Sequence, residues 1–256
     1  MDRHPALAVG RTTPSGTSAG RLVLLHGFTQ NGACWSPVDD DLAVDHEVVR
    51  VDAPGHGGST DVRADLWDTA RLLVDAGGPG TYIGYSMGGR MALHAALVVP
   101  AAVERLVLVS TAAGSDDDGE RAARRAADDA LAVHVLEVGV GRFVDEWLAQ
   151  PLFATLPSDH AHRPERLTNT AEGLASSLRM AGTGTQDPLW DRLGELTMPV
   201  LVVAGELDAP YRAHAERLVA AIGDGAELTL IPRAGHTVHL EQPEAFVALL
   251  RDWLSR

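Results

Sequence analysis

The stretch Gly84-Tyr85-Ser86-Met87-Gly88 is the most informative part of the sequence. It follows a short apolar run at residues 81–83 and opens a stretch, residues 90–97, that is helical in pattern. A sharp turn from strand to helix strains the backbone of its apex residue, and only small neighbours allow it. The pattern therefore predicts a nucleophile elbow that exposes the hydroxyl of Ser86. Such a serine needs an imidazole, a carboxylate and an oxyanion hole from elsewhere in the chain.

Short apolar runs alternate with helical stretches along the chain. This order predicts an α/β fold with a mainly parallel sheet covered by helices on both faces. The strands are expected to be buried on both faces, since their apolar runs are almost unbroken. They are predicted at residues 21–25, 47–51, 81–84, 105–109, 200–204 and 227–231. Residues 6–11 are predicted to add an antiparallel edge strand.

The interval between the fourth and fifth of these strands is too long for a single crossover helix. Residues 116–193 are helical in pattern and are interrupted by prolines, and Asp116-Asp117-Asp118 favours a helix start. We predict that this segment is a helical cap over the carboxyl ends of the strands, where open α/β sheets bind ligands. The predicted core then consists of residues 1–115 and 194–256.

Three residues follow predicted strands in the order serine, acid, histidine. Ser86 ends one strand, Asp208 lies just past the next to last, and His236 follows the last. A serine hydroxyl is a weak base and nucleophile at neutral pH and needs an imidazole within hydrogen-bond reach. The imidazole in turn needs a carboxylate to fix its tautomer. We therefore predict a Ser86–His236–Asp208 triad.

A fourth element, His26-Gly27-Phe28, follows the first predicted buried strand. The backbone N–H groups of Phe28 and Met87 would converge on a developing negative charge and form an oxyanion hole. Each motif alone could be a simple turn or a satisfied histidine. Together, in this order at strand ends, they favour a catalytic site.

Composition excludes several functional classes. The net charge is −14, and all 21 basic residues are arginine, so any bound anion must be held by guanidinium groups. This charge argues against nucleic acid as a partner. No apolar run is long enough to span a membrane. The N-terminal residues do not resemble a secretion signal, and Cys34, the single cysteine, allows no intrachain disulfide. We expect a cytoplasmic monomer or small homo-oligomer without a membrane partner.

Other polar residues are weaker candidates. Glu206 lies near Asp208 but is predicted to point along its strand. His56 is expected to pack or to cap a turn, and the Asp39-Asp40-Asp41 run is expected to be a solvated turn or a helix cap. His239 could pair with His236 on a metal, but no third ligand has suitable spacing, so neither a metal site nor a cofactor is predicted.

The motifs HGF, DAPGHGGS, GYSMGGR, AGELD and AGHTVHLEQP resemble those of the α/β-hydrolase superfamily over nearly the whole chain. The cap region and its neighbours, above all the stretch from GTGTQ to LWDRL, are similar to 2-succinyl-6-hydroxy-2,4-cyclohexadiene-1-carboxylate synthase of menaquinone biosynthesis. The resemblance implies a lyase that eliminates pyruvate from 2-succinyl-5-enolpyruvyl-6-hydroxy-3-cyclohexene-1-carboxylate, with Ser86 as the base. It also implies a small anionic carboxylate substrate.

The same resemblance implies roles for pocket residues. Arg90, Arg124 and Arg166 would hold carboxylates, and Tyr85 and Trp147 would line the pocket. Arg124 and Arg125 are neighbours on a predicted helix, so at most one of them should face the site. The chain departs from the family where Pro210-Tyr211 follow Ala209, a position at which the family often has a lysine and an aromatic residue. It also lacks the Pro-Gly expected near residues 111–115.

Two alternatives remain open from the sequence. A carboxylesterase or lactonase could use the same triad through an acyl-enzyme. A non-catalytic ligand receptor could be built on the same fold, although receptor duty does not require an intact triad. Substitution of Arg90 or Arg124 would separate the lyase from a hydrolase of neutral esters, and substitution of Ser86 would separate both enzymes from a receptor.

Overall fold

The computed structural model describes residues 6–256, so the first five residues of the predicted core lie outside the described residues. Seven strands form one sheet in the order β1-β3-β2-β4-β5-β6-β7, in which β1 is antiparallel to β3 and all other neighbours are parallel. The strands are β1 (Val9–Thr12), β2 (Arg21–Leu25), β3 (Glu47–Val51), β4 (Gly80–Tyr85), β5 (Val103–Val109), β6 (Val200–Gly205) and β7 (Ala226–Ile231). The predicted α/β fold is confirmed.

Agreement between predicted and observed strands is close. β2 and β3 have the predicted bounds, and the four later strands are longer by one or two residues. The edge strand begins at Val9 rather than at Ala6. Alternate residues of β2 enter different cores: Val23 and Leu25 pack in one, and Leu22 and Leu24 in the other. The apolar runs are unbroken because each strand is buried on both faces.

Helices cover both faces of the sheet. They are α1 (Val38–Leu42), α2 (Leu66–Gly77), α3 (Met87–Val98), α4 (Asp118–Leu148), α5 (Arg163–Arg166), α6 (Ala171–Ala181), α7 (Ala209–Ile222), α8 (Val238–Glu241) and α9 (Pro243–Leu254). Helices α2, α3 and α7 pack into one core, and α1 and α9 pack into the other. None of the helices within residues 6–256 has both the length and the apolar character that a membrane crossing requires.

The segment between β5 and β6 contains α4, α5 and α6. Asp117 caps α4 by accepting a hydrogen bond from the Glu120 amide, as the acidic run predicts. The helix is kinked at Gly139, which has φ 77°. A separate small core of Ala132, Phe143 and Leu174, among others, joins α4 to α6. The treatment of residues 116–193 as a distinct cap stays a prediction.

Candidate active site

The turn at Ser86 has the geometry of an elbow. β4 ends at Tyr85 and α3 begins at Met87, so Ser86 alone makes the turn, with φ 52° and ψ −109°. A positive φ is strained for a residue with a Cβ atom. A Cβ on Gly84 would overlap the backbone of Gly88, and a Cβ on Gly88 would overlap the Leu25 carbonyl. The motif requires glycine at these two positions because backbone fills the space.

Ser86, His236 and Asp208 lie in one hydrogen-bonded chain. The distance from His236 Nε2 to Ser86 Oγ is 3.2 Å, and that from His236 Nδ1 to Asp208 Oδ2 is 2.8 Å. The imidazole and the carboxylate are both buried. A proton on Nδ1 shared with Asp208 leaves the Nε2 lone pair facing the Ser86 hydroxyl, which can donate to it. The structure thus brings the three predicted residues together in the order that proton transfer requires.

The turn after β2 lies beside the elbow. The closeness of Gly88 to Leu25 brings the two turns into contact, and Phe28 and Met87 line the same cavity as Ser86. His26 fixes the turn: its Nδ1 bonds the Gly27 carbonyl at 2.8 Å, and its Nε2 accepts from the Ala53 amide at 3.0 Å. Burial lowers the pKa of His26 to about 4, so the ring is neutral at ordinary pH, as this bonding pattern requires.

A cavity of about 360 Å³ opens above Ser86. All five predicted pocket residues line it: Tyr85, Arg90, Arg124, Trp147 and Arg166. Two of the triad side chains, the serine and the histidine, also face it, whereas the aspartate lies behind the histidine. The cavity therefore has nucleophile, base and guanidinium groups on one surface.

Arg90 is 8% exposed and reaches the cavity from α3. Its Nη1 donates to the carbonyl oxygens of Ala181 (2.9 Å) and Gly182 (3.1 Å), where α6 ends. Of the two neighbouring arginines on α4, Arg124 lines the cavity, while Arg125 donates to the Gly184 carbonyl at 3.2 Å.

Arg166 is 1% exposed. It donates to the Ala161 carbonyl at 2.7 Å and to the Thr29 hydroxyl. Burial lowers the pKa of both Arg90 and Arg166, because a desolvated cation is disfavoured. Within residues 6–256, none of Arg90, Arg124 and Arg166 has a carboxylate within the 4.0 Å of an ion pair. These cations therefore have no direct ion pair, although the charge of Asp128 acts on Arg90 and Arg124 from beyond contact distance.

An aromatic wall completes the cavity. The Trp147 ring lies 5.0 Å from that of Phe28 and 6.0 Å from that of Phe153. Its buried indole N–H has no hydrogen-bond partner in the described part of the chain. The Tyr85 hydroxyl is instead bonded to the Thr237 hydroxyl at 3.2 Å, and Tyr85 serves as a wall.

A sequence model of the alpha/beta hydrolase family matches residues 22–249. The chain belongs to this family. Among relatives of this alpha/beta hydrolase, a Bacillus subtilis (strain 168) protein provisionally named 2-succinyl-6-hydroxy-2,4-cyclohexadiene-1-carboxylate synthase is 36% identical, over 97% of this chain and 94% of its own length. The synthase of Escherichia coli O1:K1 is 32% identical, over 91% of this chain and 93% of its own length.

The solved structure of MenH from S. aureus matches this alpha/beta hydrolase with a TM-score of 0.89 at 31% identity. The match covers 96% of this chain and 97% of that one. The similarity to the synthase family indicated by the motifs is thus confirmed over 93–97% of the length of these relatives.

Two acidic residues of the alpha/beta hydrolase site were not predicted from the sequence. Glu241 accepts from the amides of Gly235 (2.7 Å) and Thr237 (2.9 Å), which flank His236. Asp128 lines the cavity and accepts from the Gly184 amide at 3.0 Å, and burial raises its pKa. Glu241 lies within the AGHTVHLEQP motif, four to six residues from the amides that it binds, so that motif was the signal for it. Asp128 binds an amide 56 residues away, which only tertiary structure brings close.

The weaker candidates lie outside the cavity. His56 is buried against His26, and burial lowers its pKa to about 3. Glu206 accepts from the Arg233 amide. His239 packs between Trp35 and Tyr85, with ring distances of 4.5 and 4.6 Å. Within residues 6–256, no group of three or more His, Cys, Asp or Glu side chains could hold a metal ion.

The expectation for the acidic run is wrong at Asp39. This residue lies in α1, is 2% exposed, and pairs with Arg50 at 2.6 Å. A buried carboxylate paired with a partly exposed arginine takes the place of the expected solvated carboxylate.

Proposed function

We propose that this chain is a lyase that eliminates pyruvate from 2-succinyl-5-enolpyruvyl-6-hydroxy-3-cyclohexene-1-carboxylate and yields 2-succinyl-6-hydroxy-2,4-cyclohexadiene-1-carboxylate. The names of the relatives support the reaction. The proposed substrate carries several carboxylates and a carbonyl group, and it requires a base, an anion-stabilising site and cations on one surface.

The observation that carries the proposal is the set of three arginines around one cavity, which have no direct ion pair and outnumber the one carboxylate in the lining, Asp128. Arg90 and Arg166 are buried, and a buried charge is costly unless it is paired, so these two guanidinium groups favour an anionic ligand. Arg124 is exposed to solvent and adds a third cation to the rim of the same cavity. Guanidinium groups bind carboxylates through two parallel hydrogen bonds. A neutral ester would leave these arginines without an anion in direct contact, and a polyanion would supply one. A local group of cations also offsets the net charge of −14, which would otherwise repel such a substrate.

The proposed reaction begins with proton abstraction next to the succinyl carbonyl. The Ser86 hydroxyl gives its proton to His236 Nε2 and takes the substrate proton in turn. Asp208 stabilises the imidazolium that results. The negative charge moves to the carbonyl oxygen, where the N–H groups of Phe28 and Met87 would donate to it.

In the second step the enolate electrons form a new ring double bond, the existing ring double bond shifts by one position, and the carbon–oxygen bond to the enolpyruvyl group breaks. The leaving oxygen takes the proton held by the His236 imidazolium, which restores the neutral imidazole, and the resulting enol rearranges to pyruvate. No acyl-enzyme forms, because the serine oxygen binds a proton and no carbon atom. The elbow strain serves either chemistry, since it fixes the Oγ atom beside both the imidazole and the oxyanion donors.

Pyruvate release from the enzymatically generated substrate tests the proposal, with hydrolysis of a short-chain nitrophenyl ester measured in parallel. We expect fast elimination that Ser86→Ala abolishes, together with weak ester hydrolysis. Arg124→Ala should reduce kcat/KM by about tenfold, the magnitude of losing one hydrogen bond to a charged group, since Arg124 is partly open to solvent. Arg142→Ala is the matched control, because Arg142 lies on the same helix, is 69% exposed, and pairs with Glu146.

Good ester turnover with elimination no faster than the uncatalysed reaction would reject the lyase. The triad would then belong to a carboxylesterase or lactonase that works through an acyl-enzyme. Equal losses in Arg124→Ala and Arg142→Ala would reject the role of the cavity arginines.

A further inference from the structure

Tyr211 lies beside the triad because of how α7 begins. Asp208 is the N-cap of this helix, and Pro210 occupies its first turn. The Tyr211 amide bonds Asp208 Oδ1 at 3.5 Å, so the third helical residue is tied to the triad acid. Its ring lies 4.4 Å from the His236 ring, centroid to centroid. The helix start thus fixes the tyrosine against the imidazole.

The hydroxyl of Tyr211 differs from those of the other two tyrosines. The Tyr82 hydroxyl donates to the Gly78 carbonyl at 2.9 Å, and the Tyr85 hydroxyl bonds Thr237. The Tyr211 hydroxyl has no hydrogen-bond partner among residues 6–256, although the side chain lines the cavity above Ser86. The hydroxyl of a tyrosine that packs inside a protein normally forms a hydrogen bond, and that of Tyr211 is left for a ligand in the cavity.

A second cavity, of about 820 Å³, adjoins the first. The two cavities share the wall residues Ala112, Arg124, Thr183 and Tyr211. Arg124 and Tyr211 have the largest side chains in this wall, so they form most of the partition. A ligand group that reaches the partition would meet a cation and a free phenol together.

We propose that Tyr211 is a specificity-determining residue whose hydroxyl donates a hydrogen bond to a substrate carboxylate held by Arg124. This inference rests on the proposed function, since it names a further contact for the same polyanionic substrate.

The protonation state of the phenol is consistent with this role. Burial raises the pKa of Tyr211, although the nearby Arg90 cation opposes that effect. The phenol therefore stays neutral at ordinary pH and can donate. A carboxylate is the acceptor that this place favours, because Arg124 would supply its charge balance and a hydrogen bond to an ionised group is stronger than one between neutral groups.

The test compares Tyr211→Phe with the native chain in the pyruvate-release assay. Phenylalanine keeps the ring against His236 and keeps the partition, so only the hydroxyl is lost. We expect KM to rise about tenfold, as for loss of one hydrogen bond to a charged group, with kcat within about twofold of the native value. Tyr82→Phe is the matched control, since it also removes a tyrosine hydroxyl. The partner of that hydroxyl, Gly78, lies just before the start of β4, whereas Ser86 follows the end of β4.

Unchanged KM in Tyr211→Phe would overturn the inference, as would a loss confined to kcat, which would assign the hydroxyl to the transition state instead of to binding. An equal rise of KM in Tyr82→Phe would also overturn it. If the native chain itself releases no pyruvate, the proposed function fails. If the native chain is active and Tyr211→Phe matches it, only this inference fails.

Discussion

Asp208 serves two different groups with its two carboxylate oxygens. Oδ2 accepts from His236 Nδ1 at 2.8 Å, and Oδ1 accepts from the Tyr211 amide at the start of α7. One side chain therefore orients the imidazole and also caps a helix. Asparagine can cap a helix about as well as aspartate, but it cannot stabilise an imidazolium by charge. The two duties can be separated by a single substitution.

Asp208→Asn should lower kcat by about 10³- to 10⁴-fold while the melting temperature changes little, because the cap survives and the charge does not. Asp208→Ala should lower kcat similarly and also cost about 1 kcal/mol of stability through the lost cap. Steady-state kinetics and thermal unfolding of both variants check this. Equal stability of the Asn and Ala variants would contradict the capping role.

Glu241 holds the backbone on both sides of His236. In Glu241→Gln one carboxylate oxygen becomes an NH₂ group, which cannot accept from an amide. One of the two backbone hydrogen bonds is then lost, and we expect a displaced imidazole. The expected result is a kcat about tenfold lower with KM unchanged, since misplacement of a reacting group affects the chemical step. Labelling of Ser86 by a fluorophosphonate should slow in parallel.

Glu244→Gln provides the comparison for this change, because Glu244 is exposed in the first turn of α9, three residues further along the chain. It should match the native chain in kcat and in labelling rate. A Glu241→Gln protein that also labels at the native rate would show that the two amide bonds do not position the histidine.

At the scale of elements, the features predicted best from the sequence are those that a local sequence pattern determines. The bounds of β2 and β3 follow from apolar runs that end at turn residues, and the elbow follows from its glycines. The burial of Arg90 could not be predicted, because its carbonyl acceptors, Ala181 and Gly182, lie 91 and 92 residues away. The choice between Arg124 and Arg125 likewise depended on where α4 meets the 183–185 turn.

The contact between α4 and the turn at Gly184 gives an element-scale prediction. A Cβ on Gly184 would overlap the backbone of Arg124 and Arg125, and backbone atoms cannot move aside as a flexible side chain can. Gly184→Ala should therefore push α4 away, reduce stability by about 1–3 kcal/mol and raise KM as Arg124 shifts. Denaturant unfolding and kinetics measure both effects.

Gly141, two residues after the kink in the same helix, is the natural comparison, since a Cβ there meets nothing within 4 Å. Gly141→Ala should stabilise the protein by about 0.5–1 kcal/mol, because alanine favours a helix over glycine. The two substitutions are therefore expected to change the free energy of unfolding in opposite directions. Equal signs would mean that the packing at Gly184 is looser than described.

At the scale of the whole molecule, four buried histidines make folding sensitive to acid. Burial is the main cause that lowers the pKa of His26 and His94 to about 4 and that of His56 and His239 to about 3. The ordinary value is 6.5. Between these limits the unfolded chain binds protons that the folded chain does not, so the free energy of unfolding falls as pH falls.

Each such histidine contributes a slope of up to about 1.4 kcal/mol per pH unit, so the four together approach about 5 kcal/mol per unit near pH 5. The raised pKa values of Asp39 and Asp128 oppose this, since those carboxylates bind protons more readily when folded. A domain's total stability is about 5–15 kcal/mol, so we expect acid unfolding near pH 5. Urea unfolding followed by circular dichroism should show a midpoint that is constant above about pH 7 and falls steeply below about pH 6; a flat midpoint down to pH 4 would contradict the linkage.

The residues proposed to transfer the proton and most of the residues proposed to bind the substrate come from different parts of the chain. Ser86, Asp208 and His236 follow parallel strands, whereas Arg124 and Arg166 lie on helices between β5 and β6. In evolution, the sequence of residues 116–193 could change while the sheet and its turns were inherited unchanged. Descendants of one ancestor could then share the same proton-transfer apparatus and act on unrelated compounds.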